Sequence, residues 1–545
     1  MNVPATQTTT PARTGRLPGT TGSAGAADRR WPAWTVPAVV GLLTVVGAIL
    51  RLEVAHQSLF ADELSTYWII RDHGLRGVVS TVHSDAEITP PLYFVLAWAT
   101  TVFGHAPELV RGPSLIAGIA SIPLMYRLAL RTIGPRAALI AAALTAVAPF
   151  PLYYSTEARA YGLMMALVIG STLALLTAVD TRRARWWVVY AICSCAAVYA
   201  HYTCVFVLAT QAVWVLWAHP EARRPALLAN LAAALAFAPW VSGLLADFNS
   251  PTTKILSALA PFTFHDVRFS FEHWSVGYPI PTPLALTEFP GGIALVLLAV
   301  ALLLGGVGVV TRVRAGSIRF APASVDRRLL LIVALALAVP VGTVVVTIVG
   351  TNLVTVRNLA ASWPAMTLVL AALLAAPPPR LRLVAGGLAF VAFAIGAGKL
   401  LTDRYQRPDA QGAADLVKRE AGPRGVVIDE TALLSPGPLS SLDASLSGPR
   451  FTVIRSQAPA ERDHPFTIFD AVMSRADAFA QASRAAGDGR IWVVGTRFPR
   501  SALLRLGTAK LEAARKAGAP AGYRLVRRNV FPGILETEVT EYVRR

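Results

Sequence analysis

Charged residues are scarce in this chain: only 15% of its 545 residues are Asp, Glu, Lys or Arg. Hydrophobic residues make up 54% of the sequence, and the mean hydropathy is +0.52. A water-soluble fold could not hide that much apolar surface, so the composition excludes an ordinary soluble protein. It predicts a polytopic α-helical membrane protein.

Acidic residues are few even among the charged ones, with 32 against 50 basic residues and a formal net charge of +18. A basic chain can bind nucleic acid, but here most basic residues in the apolar part form short clusters between apolar runs, as topology signals do. We therefore expect no nucleic-acid partner. The preference for Arg over Lys and the abundance of Ala indicate a GC-rich bacterial genome, and hence a bacterial plasma membrane.

Cysteine is nearly absent. The three that occur, Cys193, Cys195 and Cys204, lie in or beside apolar runs. They are expected to be small buried hydrophobic side chains, and they do not predict a disulfide framework.

Apolar stretches long enough to span a bilayer recur along the chain. We count about 11 of them, at residues 34–54, 113–131, 137–154, 161–179, 186–200, 202–217, 226–245, 291–310, 329–350, 359–376 and 383–401. Residues 1–30 precede them and are rich in Thr, Gly, Ala, Pro and Arg, which predicts a disordered cytoplasmic tail. This tail lacks the apolar core of a signal peptide, so the first span is predicted to be a retained anchor.

Arginine placement predicts the topology, because cytoplasmic loops carry an excess of Arg and Lys. With the N-terminus inside, every predicted inner loop is basic and the acids fall in the outer loops. This alternation requires that residues 90–103 lie along the outer interface without crossing it. The first outer loop then runs over 55–111 and another over 246–290. An odd number of spans places the C-terminus outside.

The composition changes after the last span. Residues 31–401 form the predicted transmembrane domain, and residues 402–545 form a predicted extracytoplasmic soluble α/β domain. Its predicted helix covers 411–420, and its predicted strands cover 425–428, 451–454, 491–494, 523–526 and 535–543. Acceptor binding and structural cover are both open as roles for this domain.

Functional candidates gather on the predicted outer face. Asp62 and Glu63 follow the first span, where two acids beside a membrane interface are costly unless they have a function. The candidates that accompany them in outer loops are Asp85, Glu87, Tyr93, Glu157, Arg159, His201, Tyr202 and Arg357.

Four motifs occur in order: the Asp-Glu pair, Thr-Pro-Pro-Leu-Tyr-Phe at 89–94, Tyr-Ser-Thr-Glu-Ala-Arg-Ala-Tyr-Gly at 154–162, and Arg-Asn-Leu…Trp-Pro at 357–364. Together they resemble the GT-C superfamily of polyprenyl-phosphate-sugar glycosyltransferases, and most of all the branch with protein O-mannosyltransferases (glycosyltransferase family 39) and the aminoarabinose transferase of lipid A. The resemblance covers the first half of the membrane domain, weakens towards residue 400 and is absent from the soluble tail. Thr89 and Asn358 depart from the family pattern and leave the sugar open.

The resemblance implies a donor that is a polyprenyl-phosphate sugar and an acceptor hydroxyl on a glycan, lipid or protein. Such a donor carries its own leaving group, so it does not need the acid and base pair of a glycosidase. One base and cations for the departing phosphate suffice. We expect Asp62 to be the base of an inverting displacement, and Arg159 and Arg357 to hold the phosphate.

The other candidates are expected to bind substrate. Glu63, Glu87 and Glu157 suit sugar hydroxyls or orientation of the base, as do His201 and Tyr202, and Asp85 and Tyr93 belong to the same face. Simpler alternatives remain open for several of them. Asp62 suits a helix N-cap, Glu157 and Arg159 suit a surface ion pair, Asp85 and Glu87 suit solvent, and His201 suits an interface.

Cofactors are not predicted, since the histidines lack metal-ligand spacing. A divalent ion held by Asp62 and Glu157, as in the oligosaccharyltransferase branch, stays open. The competing function is a transporter or flippase of a lipid-linked glycan, which would favour ionisable groups near the bilayer midplane and paired repeats. The predicted spans are almost free of charge, which favours the enzyme. A membrane scaffold with a partner-binding tail would leave the one-sided acids unexplained.

Overall fold

The computed structural model describes residues 32, 34–71, 73–84, 87–250, 262–277, 286–315, 326–350, 352–421, 425–431, 439–446, 451–456, 473–487, 489–497, 519 and 521–545. The predicted tail 1–30 and the candidate Asp85 lie outside the described residues. The chain divides into two units. Met1–Val39 holds the start of the first helix, and Val40–Arg545 holds everything discussed below.

Helices dominate the chain as far as residue 400, as its apolar runs predict. In order they are α1 (Thr35–Ala55), α2 (Asp62–Arg71), α3 (Leu75–His83), α4 (Leu92–Thr100), α5 (Pro107–Val110), α6 (Gly112–Thr132), α7 (Pro135–Val147), α8 (Pro149–Tyr154), α9 (Tyr161–Thr181), α10 (Ala184–Ala200), α11 (Cys204–Ala218), α12 (Arg223–Phe237), α13 (Val241–Asn249), α14 (Phe264–Ser275), α15 (Gly292–Arg314), α16 (Arg327–Val349), α17 (Trp363–Leu374) and α18 (Pro379–Leu400).

Among the described residues, eight helices are long and apolar enough to cross a bilayer. Five are α1, α6, α9, α16 and α18, and adjoining turns extend the others to Pro220–Asn249, Glu288–Arg314 and Arg357–Leu374. The remaining predicted spans form shorter apolar helices, namely α7 followed by α8, α10 and α11. The polytopic helical fold is confirmed, while the number of 11 crossings stays a prediction.

The first predicted outer loop is a packed structure. Its helices α2 to α5 share a buried cluster that includes Leu64, Tyr67, Ile70, Tyr93 and Phe94. The apolar helix over Leu92–Phe103 is one of the shorter ones, and its position along the membrane interface stays a prediction. The loop can therefore hold polar side chains in fixed positions.

A break between α7 and α8 is stabilised by a buried arginine. Pro149 has no backbone N–H, so the carbonyl of Thr145 loses its helical partner. The guanidinium of Arg51, fully buried on α1, donates to the carbonyls of Thr145 and Ala146 at 3.1 Å each and to the Ser155 hydroxyl at 2.8 Å. Polar backbone inside a membrane domain requires such partners. Arg51 thus fixes the chain just before the turn at 155–160.

Glycines let this turn approach its neighbours closely. A Cβ on Gly118 of α6 would lie 2.1 Å from the Ser155 Cβ, and one on Gly162 would lie 2.9 Å from the Ser114 carbonyl oxygen. Larger residues would push the turn away from α6. The segment that carries Glu157 and Arg159 is therefore held against the membrane helices.

The C-terminal segment contains the predicted α/β structure. Its elements are α19 (Ala410–Glu420), β1 (Val426–Glu430), α20 (Ser441–Ser445), β2 (Thr452–Arg455), α21 (Arg475–Ala485), β3 (Arg490–Arg497), β4 (Tyr523–Phe531) and β5 (Glu536–Arg544). The described strands form one sheet in the order β2-β1-β3-β5-β4. β1 pairs in parallel with β2 and β3, whereas β5 is antiparallel to β3 and β4. Apolar clusters on both faces pack the helices against the sheet.

Candidate functional site

Asp62 and Arg357 form an ion pair that joins distant parts of the chain. Asp62 is the first residue of α2, and Arg357 opens the short helical turn Arg357–Ser362 that precedes α17. Nη1 of Arg357 donates to Oδ2 of Asp62 at 2.5 Å. The side chain of Arg357 is 33% exposed and that of Asp62 is 29% exposed, so a substrate can reach both. A carboxylate and a guanidinium are thus presented together.

Arginines set the charge state of Asp62. Burial alone would raise the pKa of this carboxyl, but the nearby Arg357 and Arg159 outweigh burial and hold the pKa below its usual value. Asp62 is therefore ionised at neutral pH. While it is paired with Arg357 it is a weak base.

Glu63 points into the protein, and its oxygens are fully engaged. It is 1% exposed. Arg111 donates to both of its oxygens at 2.7 Å, Nε of Arg407 lies 3.1 Å from Oε2, and the backbone N–H of Ala158 donates to Oε1 at 2.8 Å. Burial would raise its pKa, but Arg111 and Arg407 outweigh burial and lower it. The geometry favours an interior anchor over the sugar contact expected from the sequence.

Glu87 and Arg159 also form a buried pair. Nη1 and Nη2 of Arg159 donate to the two Glu87 oxygens at 2.5 and 2.8 Å. Arg159 is 5% exposed and Glu87 is 8% exposed. The Arg159 guanidinium lies 5.7 Å from the centre of the Phe94 ring. Burial would lower the pKa of Arg159, but Glu87 outweighs burial and raises it well above its usual value. The surface pair of Glu157 with Arg159 considered from the sequence is not seen; the partner of Arg159 is Glu87.

Glu157 stands out because its carboxyl lacks a full set of partners. Its Oε2 is buried and makes no hydrogen bond. Burial and the nearby carboxylates Glu63 and Asp62 raise its pKa to about 8, although Arg407 and Arg159 pull in the other direction. A substantial fraction of Glu157 is therefore protonated at neutral pH. Buried, unsatisfied and close to neutrality, this group resembles those found at functional sites.

His201 directly follows α10, and its side chain is neutral at neutral pH. It is 7% exposed, and burial together with Arg159 and Arg357 lowers its pKa to about 3. Its Nδ1 accepts the backbone N–H of Thr203 at 3.3 Å and lies 2.9 Å from the Thr203 hydroxyl. Since a backbone N–H can only donate, the imidazole proton sits on Nε2. The ring centre lies 5.6 Å from that of Tyr161.

Two further candidates make contacts that hold the fold together. The Tyr202 hydroxyl donates to Oδ2 of Asp247 at 2.5 Å and accepts from Nε1 of Trp240 at 3.0 Å. The hydroxyl of Tyr93, 1% exposed, donates to the Val110 carbonyl at 2.9 Å. These bonds tie the outer segments to one another.

Sequence reasoning missed three buried arginines, Arg51, Arg111 and Arg407. The first lies inside a predicted span, where an ionisable residue is itself a signal. The other two lie at the end of the first predicted outer loop and in the predicted soluble domain, and no role was predicted for either. The described residues contain no group of three or more His, Cys, Asp or Glu side chains placed to hold a metal ion.

Comparisons with known proteins bear on the fold and on part of the sequence. Residues 88–242 match the family model described as dolichyl-phosphate-mannose-protein mannosyltransferase. The crystal structure of ArnT from Cupriavidus metallidurans bound to undecaprenyl phosphate is 14% identical, with 93% of this chain and 98% of that chain covered and a TM-score of 0.51. The Archaeoglobus fulgidus oligosaccharyltransferase tethered to an acceptor peptide is 13% identical, with 85% and 69% covered and a TM-score of 0.45. None of the curated proteins compared with the chain matches it.

The ArnT likeness is close enough to establish the fold, which is that of ArnT. The segment 88–242 independently resembles the dolichyl-phosphate-mannose-protein mannosyltransferases in sequence. The resemblance seen in the sequence motifs is thus confirmed. The matched segment includes Tyr93, Glu157, Arg159, His201 and Tyr202.

Replacing Glu63 by Gln is expected to destabilise the protein by about 3–5 kcal/mol, because Arg111 and Arg407 would keep buried charges without a counterion. Unfolding of the purified protein in detergent would measure the change. Glu272→Gln is the control, since Glu272 and Arg268 are 35% and 66% exposed and such pairs contribute about 0–1 kcal/mol. Equal losses in both variants would contradict the anchor role.

Glu157→Gln tests the raised pKa. The pKa of Glu157 is about 8 in the folded protein, against an ordinary value of 4.5. Between these two values the folded protein binds more protons than the unfolded chain, so the folded state becomes less stable as the pH rises. The Gln variant lacks this penalty. Its stability relative to the original protein should therefore increase between about pH 5 and about pH 9, as measured by unfolding at each pH. A constant difference would show that Glu157 is not perturbed.

Proposed function

We propose that the protein is a plasma-membrane glycosyltransferase that moves a sugar from a polyprenyl-phosphate carrier to an acceptor hydroxyl on the outer face of the membrane. The observation that carries this proposal is the accessible pair of Asp62 and Arg357, which offers a base and a phosphate-binding cation at one point. The GT-C fold supports this proposal. It is also supported by the structure of ArnT, which has that fold and was solved with bound undecaprenyl phosphate.

The reaction is a single in-line displacement. The acceptor oxygen forms a bond to the anomeric carbon of the sugar while the bond from that carbon to the phosphate oxygen breaks. The polyprenyl phosphate leaves with the electron pair, the acceptor proton passes to Asp62, and the anomeric centre is inverted. The phosphate is a good leaving group once cations hold it, so no protein acid needs to protonate it.

Arg357 couples donor binding to activation of the base. In the free protein Arg357 holds Asp62 at a lowered pKa, which makes Asp62 a poor proton acceptor. The donor phosphate offers the guanidinium a second bidentate partner. As Arg357 turns to the phosphate, Asp62 loses its nearest cation and its pKa rises. The base therefore becomes effective when the donor is in place.

The remaining groups suit recognition of the sugar and the acceptor. Protonated Glu157 offers both a donor and an acceptor of hydrogen bonds, which matches a sugar hydroxyl. Nε2–H of His201 is a further donor. Arg159 adds positive potential near Asp62 while it stays paired with Glu87. The sugar and the acceptor class, whether protein, lipid or glycan, are open.

The function is tested by incubating the purified protein with a panel of polyprenyl-phosphate sugars, hexose and pentose, with and without acceptors. We expect sugar-dependent release of polyprenyl phosphate from one donor, measured by chromatography of the lipid. A protein that releases no lipid phosphate but flips labelled donor across proteoliposomes would be a transporter, and the proposal would fail.

Asp62→Asn should lower turnover by about two to four orders of magnitude, the range expected for loss of a general base. Asn has nearly the size and shape of Asp, and Asp62 is partly exposed, so the variant should fold. The control is Asp326→Asn, the same change at an exposed aspartate that caps α16. The 23 residues of α16 separate Asp326 from the end of the helix nearer Arg357. Undiminished transfer by folded Asp62→Asn would exclude Asp62 as the base.

A further inference from the structure

Arg407 is a residue of the C-terminal segment that reaches the site. It follows α18 and precedes α19, and it is 2% exposed. Its guanidinium would be very costly to bury without partners. Its backbone N–H and its guanidinium are directed at two separate segments of the chain, 57–63 and 153–156.

One set of contacts is to the segment that carries the predicted base. Nε of Arg407 lies 3.1 Å from Oε2 of Glu63, which directly follows Asp62. The backbone N–H of Arg407 donates to Oε1 of Gln57 at 3.1 Å, and its Nη1 donates to the same oxygen at 3.4 Å. Arg407 therefore binds both ends of the segment between α1 and α2.

The other set is to the turn that carries Glu157. Nη2 of Arg407 donates to the carbonyl of Thr156 at 3.1 Å, one residue before Glu157. The guanidinium also lies 4.6 Å from the centre of the Tyr153 ring, within the range of a cation–π interaction. One side chain thus connects the segment of Asp62 to the segment of Glu157.

The soluble sheet holds Arg407 in place. The backbone N–H of Ile534, in the connection between β4 and β5, donates to the Gln406 carbonyl at 2.8 Å. Gly533, in the same connection, lies close to the chain at Arg407: a Cβ there would be 2.7 Å from the Leu535 carbonyl oxygen and 3.2 Å from the Arg407 carbonyl oxygen. On the other side, the backbone N–H of Gln411 donates to the Ser58 hydroxyl at 2.9 Å. The position of Arg407 therefore depends on the C-terminal domain.

We propose that Arg407 is a positioning residue that fixes the segment of Asp62 against the segment of Glu157, and that the C-terminal domain is thereby part of the catalytic centre. This inference rests on the proposed function for its catalytic readout. The geometry also gives Arg407 an electrostatic effect, since its charge lowers the pKa of Glu157. A side chain that only stabilised the fold would not produce this second effect on activity.

The test compares full-length Arg407→Gln, Arg407→Lys and Gly533→Ala with the original protein. Arg407→Gln should lower kcat by about 100-fold, because displacement of a reacting group by about 1 Å has that effect. The pH dependence of kcat/KM should also move to higher pH, since Glu157 would lose a neighbouring cation. Arg407→Lys keeps the charge and should restore the pH dependence, and Gly533→Ala should lower kcat while leaving that dependence in place.

Arg404→Gln is the matched control. Arg404 lies three residues earlier, is 55% exposed and pairs with Glu288, so its loss should change neither kcat nor the pH dependence. Hydrogen–deuterium exchange supplies a readout that needs no activity: Arg407→Gln, and not Arg404→Gln, should increase exchange in both 55–63 and 153–160.

The outcomes separate this inference from the proposed function. If the original protein does not release lipid phosphate from any donor, the proposed function fails. The hydrogen–deuterium exchange experiment still tests whether Arg407 connects the two segments. If Arg407→Gln lowers kcat with an unchanged pH dependence and no recovery in the Lys variant, Arg407 is merely structural and the inference is overturned. Unchanged exchange in the two segments would overturn it as well.

Discussion

The ion-pair cluster around the buried carboxylate of Glu63 is the interaction on which the candidate site depends. It joins Arg111, Arg407 and the backbone of Ala158, which come from three separate stretches of sequence. A buried charge cluster of this kind contributes little net stability relative to an apolar core, but it tolerates only one arrangement because an unpaired charge is very costly. We infer that its value lies in geometry: the neighbouring Asp62 is left pointing outward, where it meets Arg357.

The fold was largely predictable because the determining signals are local. Apolar runs of about 20 residues indicate bilayer spans, and the alternating β-rich runs after residue 402 correspond to β1 to β5. The helix predicted at 411–420 corresponds to α19 (Ala410–Glu420). The fold was harder to predict where it depends on contacts between residues far apart in the sequence. The run 137–154 is broken at Pro149, and its interruption is stabilised by Arg51, which is about one hundred residues away in sequence.

The site was predictable in composition but not in pairing. Sequence reasoning grouped Asp62 with Glu63 because they are adjacent, yet consecutive residues at the start of a helix point about 100° apart. One therefore faces the interior and the other the site. It also paired Arg159 with Glu157, two residues away, whereas its partner Glu87 lies 72 residues away. Ion pairs between distant segments leave no periodic signal in one sequence, which is why no role was predicted for Arg111 or Arg407.

The cluster around Glu63 also has a temporal consequence during biosynthesis. Glu63 and Arg111 are translated about 300 residues before Arg407, which corresponds to roughly 15–60 s at about 5–20 residues per second. During that interval the carboxylate has one of its two guanidinium partners, and the turn at Thr156 lacks the bond from Arg407. The site therefore matures only after the last membrane helix has been synthesised.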